Sequence, residues 1–384
     1  MSQTSPSAPS HPGPVTVPKQ SFLSELFEAV RQRTFFLVIG VLLIQFAFVL
    51  SYVGAFHHPT PHRVPIAVVA PKQVAGQLVS ELNGIHGQPL HATAVADRSS
   101  GLKLLRHGST SAVLILNPAG SRDALLVASG GGAATATAVE DVIARAEAAQ
   151  HRRATVTDAV PAQLGDARSL SGFYLVVGLL IGGYLVAALL SIATRARPAT
   201  IRRALIRLVV LVPYAILSGL GAAIIAGPIL GALTGHLLAI AALGALIVYC
   251  AAVVTMAFQV LFGTLGVALT LILFVVLGNP SAGGAYPAPL LPGFWRVISP
   301  ALPNGAGVEA LRRIVYFGSY AIAGNLIILA LYIVVGVAVA LVGTFVLNRR
   351  ATSGKPADTG GSDDVLLEII DESTKVAQLA GASV

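Results

Sequence analysis

Long apolar runs dominate the chain, and they are separated by one water-compatible stretch and one broken, proline-rich stretch. Thr34 to Phe56 has Gln45 as its only strongly polar side chain and is long enough to cross ~30 Å of hydrocarbon. From His57 to Leu170 the runs become short. Val64–Pro71 and Leu90–Val95 predict strands, and Lys72–Asn83 and Ser99–His107 predict helices. Ala112–Leu116 and Ala124–Ala128 predict further strands, and a helix is expected from Ala133 to Arg152 after a turn at Gly130–Gly132. Strands alternating with helices imply a small α/β domain. Ser171 to Leu347 then returns to apolar sequence, with spans expected at about 172–194, 205–229, 236–258, 261–278 and 321–347. The fold class expected is a polytopic α-helical membrane protein of six transmembrane helices, with an α/β domain between the first and second.

The ends read differently. Residues 1–20 are rich in Ser and Pro and are expected to be disordered in the cytoplasm. Ser21–Arg33 has the pattern of an amphipathic helix on the membrane surface, or of a plain extension of the first span, so 21–56 form one segment. The first span is too long, and starts too late, for a cleaved signal peptide, which makes it a signal anchor. The α/β domain takes 57–170. The remaining five helices take 171–347, with an outer loop at 279–320. Residues 348–384 are an acidic cytoplasmic tail, read as solvated although Asp363–Glu372 has the makings of a docking helix.

Charge sets the orientation. Arg31 and Arg33 precede the first span, Arg195, Arg197, Arg202, Arg203 and Arg207 punctuate the turn after the second, and Arg349 and Arg350 follow the last. The positive-inside rule places all three groups in the cytoplasm. Both termini are then inside, and the α/β domain and the 279–320 loop outside. With 55% hydrophobic and only 11% charged residues, against about 25% charged in soluble chains, this is a multi-pass protein. The Arg-, Ala- and Gly-rich composition points to a bacterial plasma membrane. The net charge of +8 lies beside apolar spans and not on one basic face, so no nucleic-acid partner is implied.

Several chemistries are excluded. Between Arg207 and Arg296 there is no Asp, Glu, Lys or Arg, so the bundle offers no carboxylate for proton or sodium coupling. No phosphate-binding Gly-x-x-x-x-Gly-Lys-Ser/Thr loop occurs, and Gly354–Lys355 lacks the rest of it. The chain is therefore not its own ATPase, and it calls for no cofactor. His57, His58 and His62 are interrupted by Pro59 and Pro61 with no carboxylate near, which argues against a metal site. The lone Cys250 makes no disulfide framework. No nucleophile motif is present, and no enzyme is expected. Gln45, Gln259 and Asn325 are candidates to line a pathway, with Thr255, Thr264 and Thr270 nearby in depth. Interhelical hydrogen bonding is the plainer reading of the same residues. Gly227, Gly231 and Gly235 form overlapping GxxxG units, expected to let helices approach within the chain or in a homodimer. Pro213 is expected to kink its span.

The stretch Tyr286–Gly318 joins two spans yet is not a polar loop. Pro287, Pro289, Pro292, Pro300 and Pro303 divide it. Val308, Leu311, Ile314 and Val315 fall at helical spacing, with Arg312 and Arg313 expected on other faces. Trp295, Tyr316 and Tyr320 suit a bilayer interface. One or two short helices in or along the outer leaflet are expected.

The pieces GNP at Gly278–Pro280, LPGFW ending at Trp295, ISPALPNGA at Ile298–Ala306 and EALRRIVYF at Glu309–Phe317 resemble the YhgE/Pip and SNG1-type membrane proteins. These are relatives of the ABC type-2 permeases. The resemblance implies a permease-like subunit, acting as a homodimer or heterodimer. It would move a hydrophobic or lipid-linked compound outward with energy from a separate ABC ATP-binding subunit. It implies an outer gate at Phe294, Trp295, Arg312 and Arg313, and coupling through Arg195, Arg197, Arg202 and Arg203 together with Ser21–Arg33. The same arginines also suit a purely topological role against anionic lipid. The alternative is a non-transporting envelope scaffold or receptor, associated in that group with secretion and phage recognition.

Overall fold

The computed structural model describes residues 32–194, 197, 198 and 200–352. The amphipathic segment at 21–31, Arg195 and the tail from 353 lie outside the described residues. The chain divides into two units, 1–47 and 48–384. The described part of the first is the start of helix α1 (Gln32–Phe56), whose side chains, Gln45 included, are largely exposed.

After α1 comes a five-stranded sheet. Its strands are β1 (Val64–Val69), β2 (Leu90–Val95), β3 (Ala112–Ile115), β4 (Arg122–Val127) and β5 (Arg153–Asp158). Their order is β2-β1-β3-β4-β5, parallel throughout except for the antiparallel β3–β4 pair. Three helices make the crossovers: α2 (Lys72–Asn83), α3 (Arg98–Arg106) and α4 (Ala133–Ala149). Alternation along β1 divides two cores. Val64, Ile66 and Val68 meet Leu82 of α2 and Val139 and Ile143 of α4, whereas Ala67 on the other face meets Leu105 of α3. That second face is completed by Phe317, from far along the chain. Asp97 caps α3 by accepting from Ser100 N–H at 2.8 Å. β5 was not anticipated.

Five helices are long and apolar enough to cross a membrane: α1, α5 (Ser171–Thr194), α6 (Ile201–Ile224, extended to Ile229), α7 (Leu237–Phe262) and α11 (Ala323–Thr352). The fifth of the six expected spans is the shorter apolar helix α8 (Leu265–Ser281). It follows a turn at Gly263, whose φ is +62°, and it is π-helical over Ile272–Gly278. α7 is the central helix: 56% of its most apolar stretch is buried, against 33% or less for the other long helices. Lipid-like surroundings give no hydrophobic drive between helices, so close approach of small residues matters. At Gly219 on α6 a methyl group would come within 2.4 Å of the α7 backbone at Ala241 and Ala245.

The expected GxxxG role for Gly227, Gly231 and Gly235 is corrected. Gly231 and Gly235 have φ of +64° and +90° and lie in the turn between α6 and α7, not on a helix face. They supply left-handed backbone there. Pro213 lies within α6, and the helix continues past it.

Candidate functional site

The proline-rich loop folds into α9 (Gly293–Ile298) and α10 (Pro303–Tyr316). α10 does not lie on a surface. Ala306, Val308, Ala310, Leu311, Ile314 and Val315 are buried in the same core as α5, α6 and α7. Its entry is fixed by Asn304, fully buried, whose Nδ2 donates to Phe274 O at 2.9 Å and to Asn279 Oδ1 at 2.8 Å. The π-helical stretch of α8 interrupts the regular backbone ladder at this point, and an inserted side chain is a usual companion of such a break. A methyl group on Gly278 would come within 2.2 Å of Asn304 Oδ1. The GNP and PNGA pieces therefore meet face to face.

At its far end α10 reaches the sheet. Tyr316 donates to Asp166 Oδ2 at 2.5 Å, while Asp166 Oδ1 accepts from Ser171 N–H at 2.7 Å and so holds the start of α5. Phe317 enters the sheet core, and Tyr320 stacks on His107 with ring centres 4.2 Å apart. Gln163 accepts from Thr234 N–H at 2.7 Å, tying the linker before α5 to the α6–α7 turn.

A cavity of about 330 Å³ lies between the sheet and the loop. Thr110 and Thr135 line it from the sheet side, Arg296, Glu309 and Arg312 from the loop side, and Asn325 from α11. The Thr110 and Thr135 hydroxyls are buried and have no hydrogen-bond partner among the described residues. Both hydroxyls are able to donate to or accept from a polar group in the cavity, water included.

The gate candidates are dispersed. Arg312 is buried, 8% exposed, where helical spacing placed it away from the apolar face. Its Nη2 donates to Gly283 O at 3.0 Å, and Glu309 lies 3.4 Å from Nη1, which accounts for a guanidinium at that depth. Arg313 pairs with the other oxygen of Glu309 at 2.9 Å and donates to Tyr320 O. Trp295 is buried with Leu291 and Ala55, against the last turn of α1, while Phe294 is 59% exposed.

The coupling candidates also separate. Arg197 donates to Val260 O and Leu261 O, both at 3.1 Å, and so closes the C-terminal end of α7. Arg202 and Arg203 are exposed on the first turn of α6. Of the pathway candidates, Gln259 is buried and donates to Ser191 on α5 at 3.1 Å. Asn325 lines the cavity at the start of α11, so these two are not brought together. Thr255 and Thr270 bond back to carbonyls of their own helices. Thr110, Thr135 and Asp166 were not anticipated, and Asn304 entered only within the PNGA piece: single Thr, Asn and Asp side chains carry no spacing signal, and only the tertiary fold assembles them.

A family model described as ABC-2 family transporter protein matches residues 33–342. No curated protein and no solved structure matches the chain.

Proposed function

The chain belongs to the ABC-2 family of transporter proteins, and from that premise we propose that it is the membrane half of an exporter driven by a separate ATP-binding subunit. A multi-pass membrane protein of this family is a transporter component. The finer reading is that α8 crosses as the fifth of six spans, that both termini face the cytoplasm and that the sheet domain faces outward at the bacterial plasma membrane. The meeting of Gly278 with Asn304 supports placing the chain in the YhgE/Pip branch. The cargo is a hydrophobic or lipid-linked compound, and the exporter works as a dimer.

One observation carries this reading. α10 is buried in the helix bundle at one end and inserted in the sheet core at the other, so movement of the bundle is transmitted to the cavity walls. A scaffold that only anchors an outer domain has no use for such a link, and the non-transporting alternative is not favoured. The Gly283–Arg312–Glu309–Arg313 group is the outer gate, with exposed Phe294 and buried Trp295 as its aromatic members.

The test compares deletion cells with cells restored by wild type or by Arg312→Glu, using untargeted lipid analysis of outer and inner envelope fractions. A species lost from the outer fraction and enriched in the inner one, restored by wild type but not by Arg312→Glu at equal membrane abundance, is the expected result. Indistinguishable fractions in deletion and wild-type cells contradict export.

A further inference from the structure

A second cavity, of about 870 Å³, lies where the chain leaves α1. One wall is Pro59–His62, which begins two residues after His57; another is Leu291–Gly293 and Arg296 from the start of α9; the third is the sheet domain at His86 and Arg145. The walls are stitched together by backbone bonds, Thr60 N–H to Leu290 O at 3.2 Å and His62 N–H to Pro289 O at 2.9 Å. The space is therefore preformed.

Its chemistry has one sign. Arg145 and Arg296 line it with His62 and His86, and no Asp or Glu lines it among the described residues. Arg296 makes no ion pair among the described residues. Among the described residues Arg145 bonds the backbone oxygen of Asp141 alone, through Nε at 3.0 Å, which leaves its terminal nitrogens for another partner. Guanidinium groups suit phosphate because their parallel N–H donors engage two oxygens at once.

Its place beside the end of an apolar helix suits a lipid headgroup. Thr60 and His62 follow closely on the end of a membrane-crossing helix at Phe56. α9 turns Phe294 and Val297 outward, 59% and 72% exposed, while Arg296 of the same helix lines the cavity. An apolar face in acyl chains beside a guanidinium at their polar boundary is the arrangement of an interfacial helix. The volume lies within the ~300–1,000 Å³ range of small-molecule sites and far exceeds what one inorganic phosphate fills.

We propose that this cavity binds the phosphate-bearing headgroup of an anionic membrane lipid. The inference rests on the chain's being a membrane protein and not on its driving export, so it stands or falls separately from the exporter reading. The lipid is held by Arg145 and Arg296, with His62 and His86 as further donors and with its acyl chains along Phe294 and Val297.

The experiment uses the full chain, purified in mild detergent and depleted of lipid. Binding of phosphatidylglycerol and phosphatidylcholine is titrated by native mass spectrometry alongside thermal unfolding. Wild type is expected to prefer phosphatidylglycerol, and Arg145→Gln/Arg296→Gln to lose about tenfold or more in its affinity, as for removal of two charge-assisted contacts. His86→Glu sits on an exposed position and places a carboxylate in the cavity without disturbing packing. It is expected to weaken binding likewise, which keeps the test valid if the double variant fails to fold. Lys103→Gln, exposed on α3 outside the cavity, is expected to leave binding unchanged. Equal phosphatidylglycerol affinity in wild type and His86→Glu overturns the proposal. So does inorganic phosphate that stabilises the protein as much as the lipid does, since the site then takes a soluble anion.

Discussion

The fold strongly disturbs the protonation of Glu147. It is buried on α4 beside Asp123 of β4, and Arg152 forks onto Asp123 with Nη2 at 2.5 Å and Nε at 2.8 Å. Burial first, and then the hydrogen bond and charge of Asp123, push the Glu147 carboxyl up to about 7. Burial also raises Asp123, but its bonds from Arg152 and Asn117 hold it below the ordinary carboxylate value. Below about 7 Glu147 is held protonated beside Asp123. A carboxyl raised in the native state favours folding while it stays protonated, and that advantage declines as pH rises from its ordinary value through about 7. Asp123 acts below this window, since its contribution is lost only as pH falls beneath the usual carboxylate range. Glu147→Gln should therefore flatten the fall in melting temperature between pH 5 and 8 and raise stability at the alkaline end. Thermal unfolding of wild type and variant at three pH values checks this, and parallel curves would refute it. At Gly278 the constraint is steric. Gly278→Ala should cost about 1–3 kcal/mol through the Asn304 contact, and Asn304→Ala should cost a similar amount through Phe274 O. The double variant should cost less than the sum of the two, because the methyl and the amide compete for one space.

Among the elements, α10 governs how the two halves hold together. Phe317→Ala removes a side chain that is 6% exposed in the sheet core, with an expected loss of about 3–5 kcal/mol. Tyr316→Phe removes the hydroxyl that holds Asp166, for about 1–3 kcal/mol. Both should make the 159–170 linker more open to limited proteolysis while the bundle stays folded; unchanged cleavage rates would show that α10 is not the tie. Sequence pattern reveals some elements and hides others for physical reasons. The long spans are legible because every turn of α5, α6, α7 and α11 must be apolar wherever it meets lipid. β1 to β4 are legible because their inward positions are Val, Ile, Leu and Ala. β5, Arg153–Asp158, is an edge strand that is almost wholly exposed, so no buried apolar face marks it in the sequence. The depth of α10 is hidden because Glu309, Arg312 and Arg313 make it look like a surface helix. Their mutual pairing, and the Gly283 carbonyl, are visible only once the loop is folded. Gly231 and Gly235 mislead in the opposite direction, since a four-residue spacing of glycines is the same in a turn as on a helix face.

For the whole molecule, the sheet domain and the helices of residues 48–384 share Phe317, Tyr316 and the Gln163–Thr234 bond. Deleting 57–170 should consequently destabilise the bundle as well as abolish function, since it strips the partners from the end of α10. On the exporter account energy arrives from a separate subunit, and the stretch between Arg207 and Arg296 holds no carboxylate. On that account Arg202 and Arg203, exposed at the start of α6, meet the soluble partner, whereas Arg197 bonds the end of α7. The most direct test of the exporter account is purification of the tagged chain from its own cells in mild detergent, followed by assay for co-purifying, vanadate-sensitive ATPase activity. The account predicts that an ATP-binding subunit co-purifies with wild type and that its activity falls when Arg202 and Arg203 are both changed to Glu. Clean recovery of the chain with no ATP-binding subunit and no ATPase activity would contradict it.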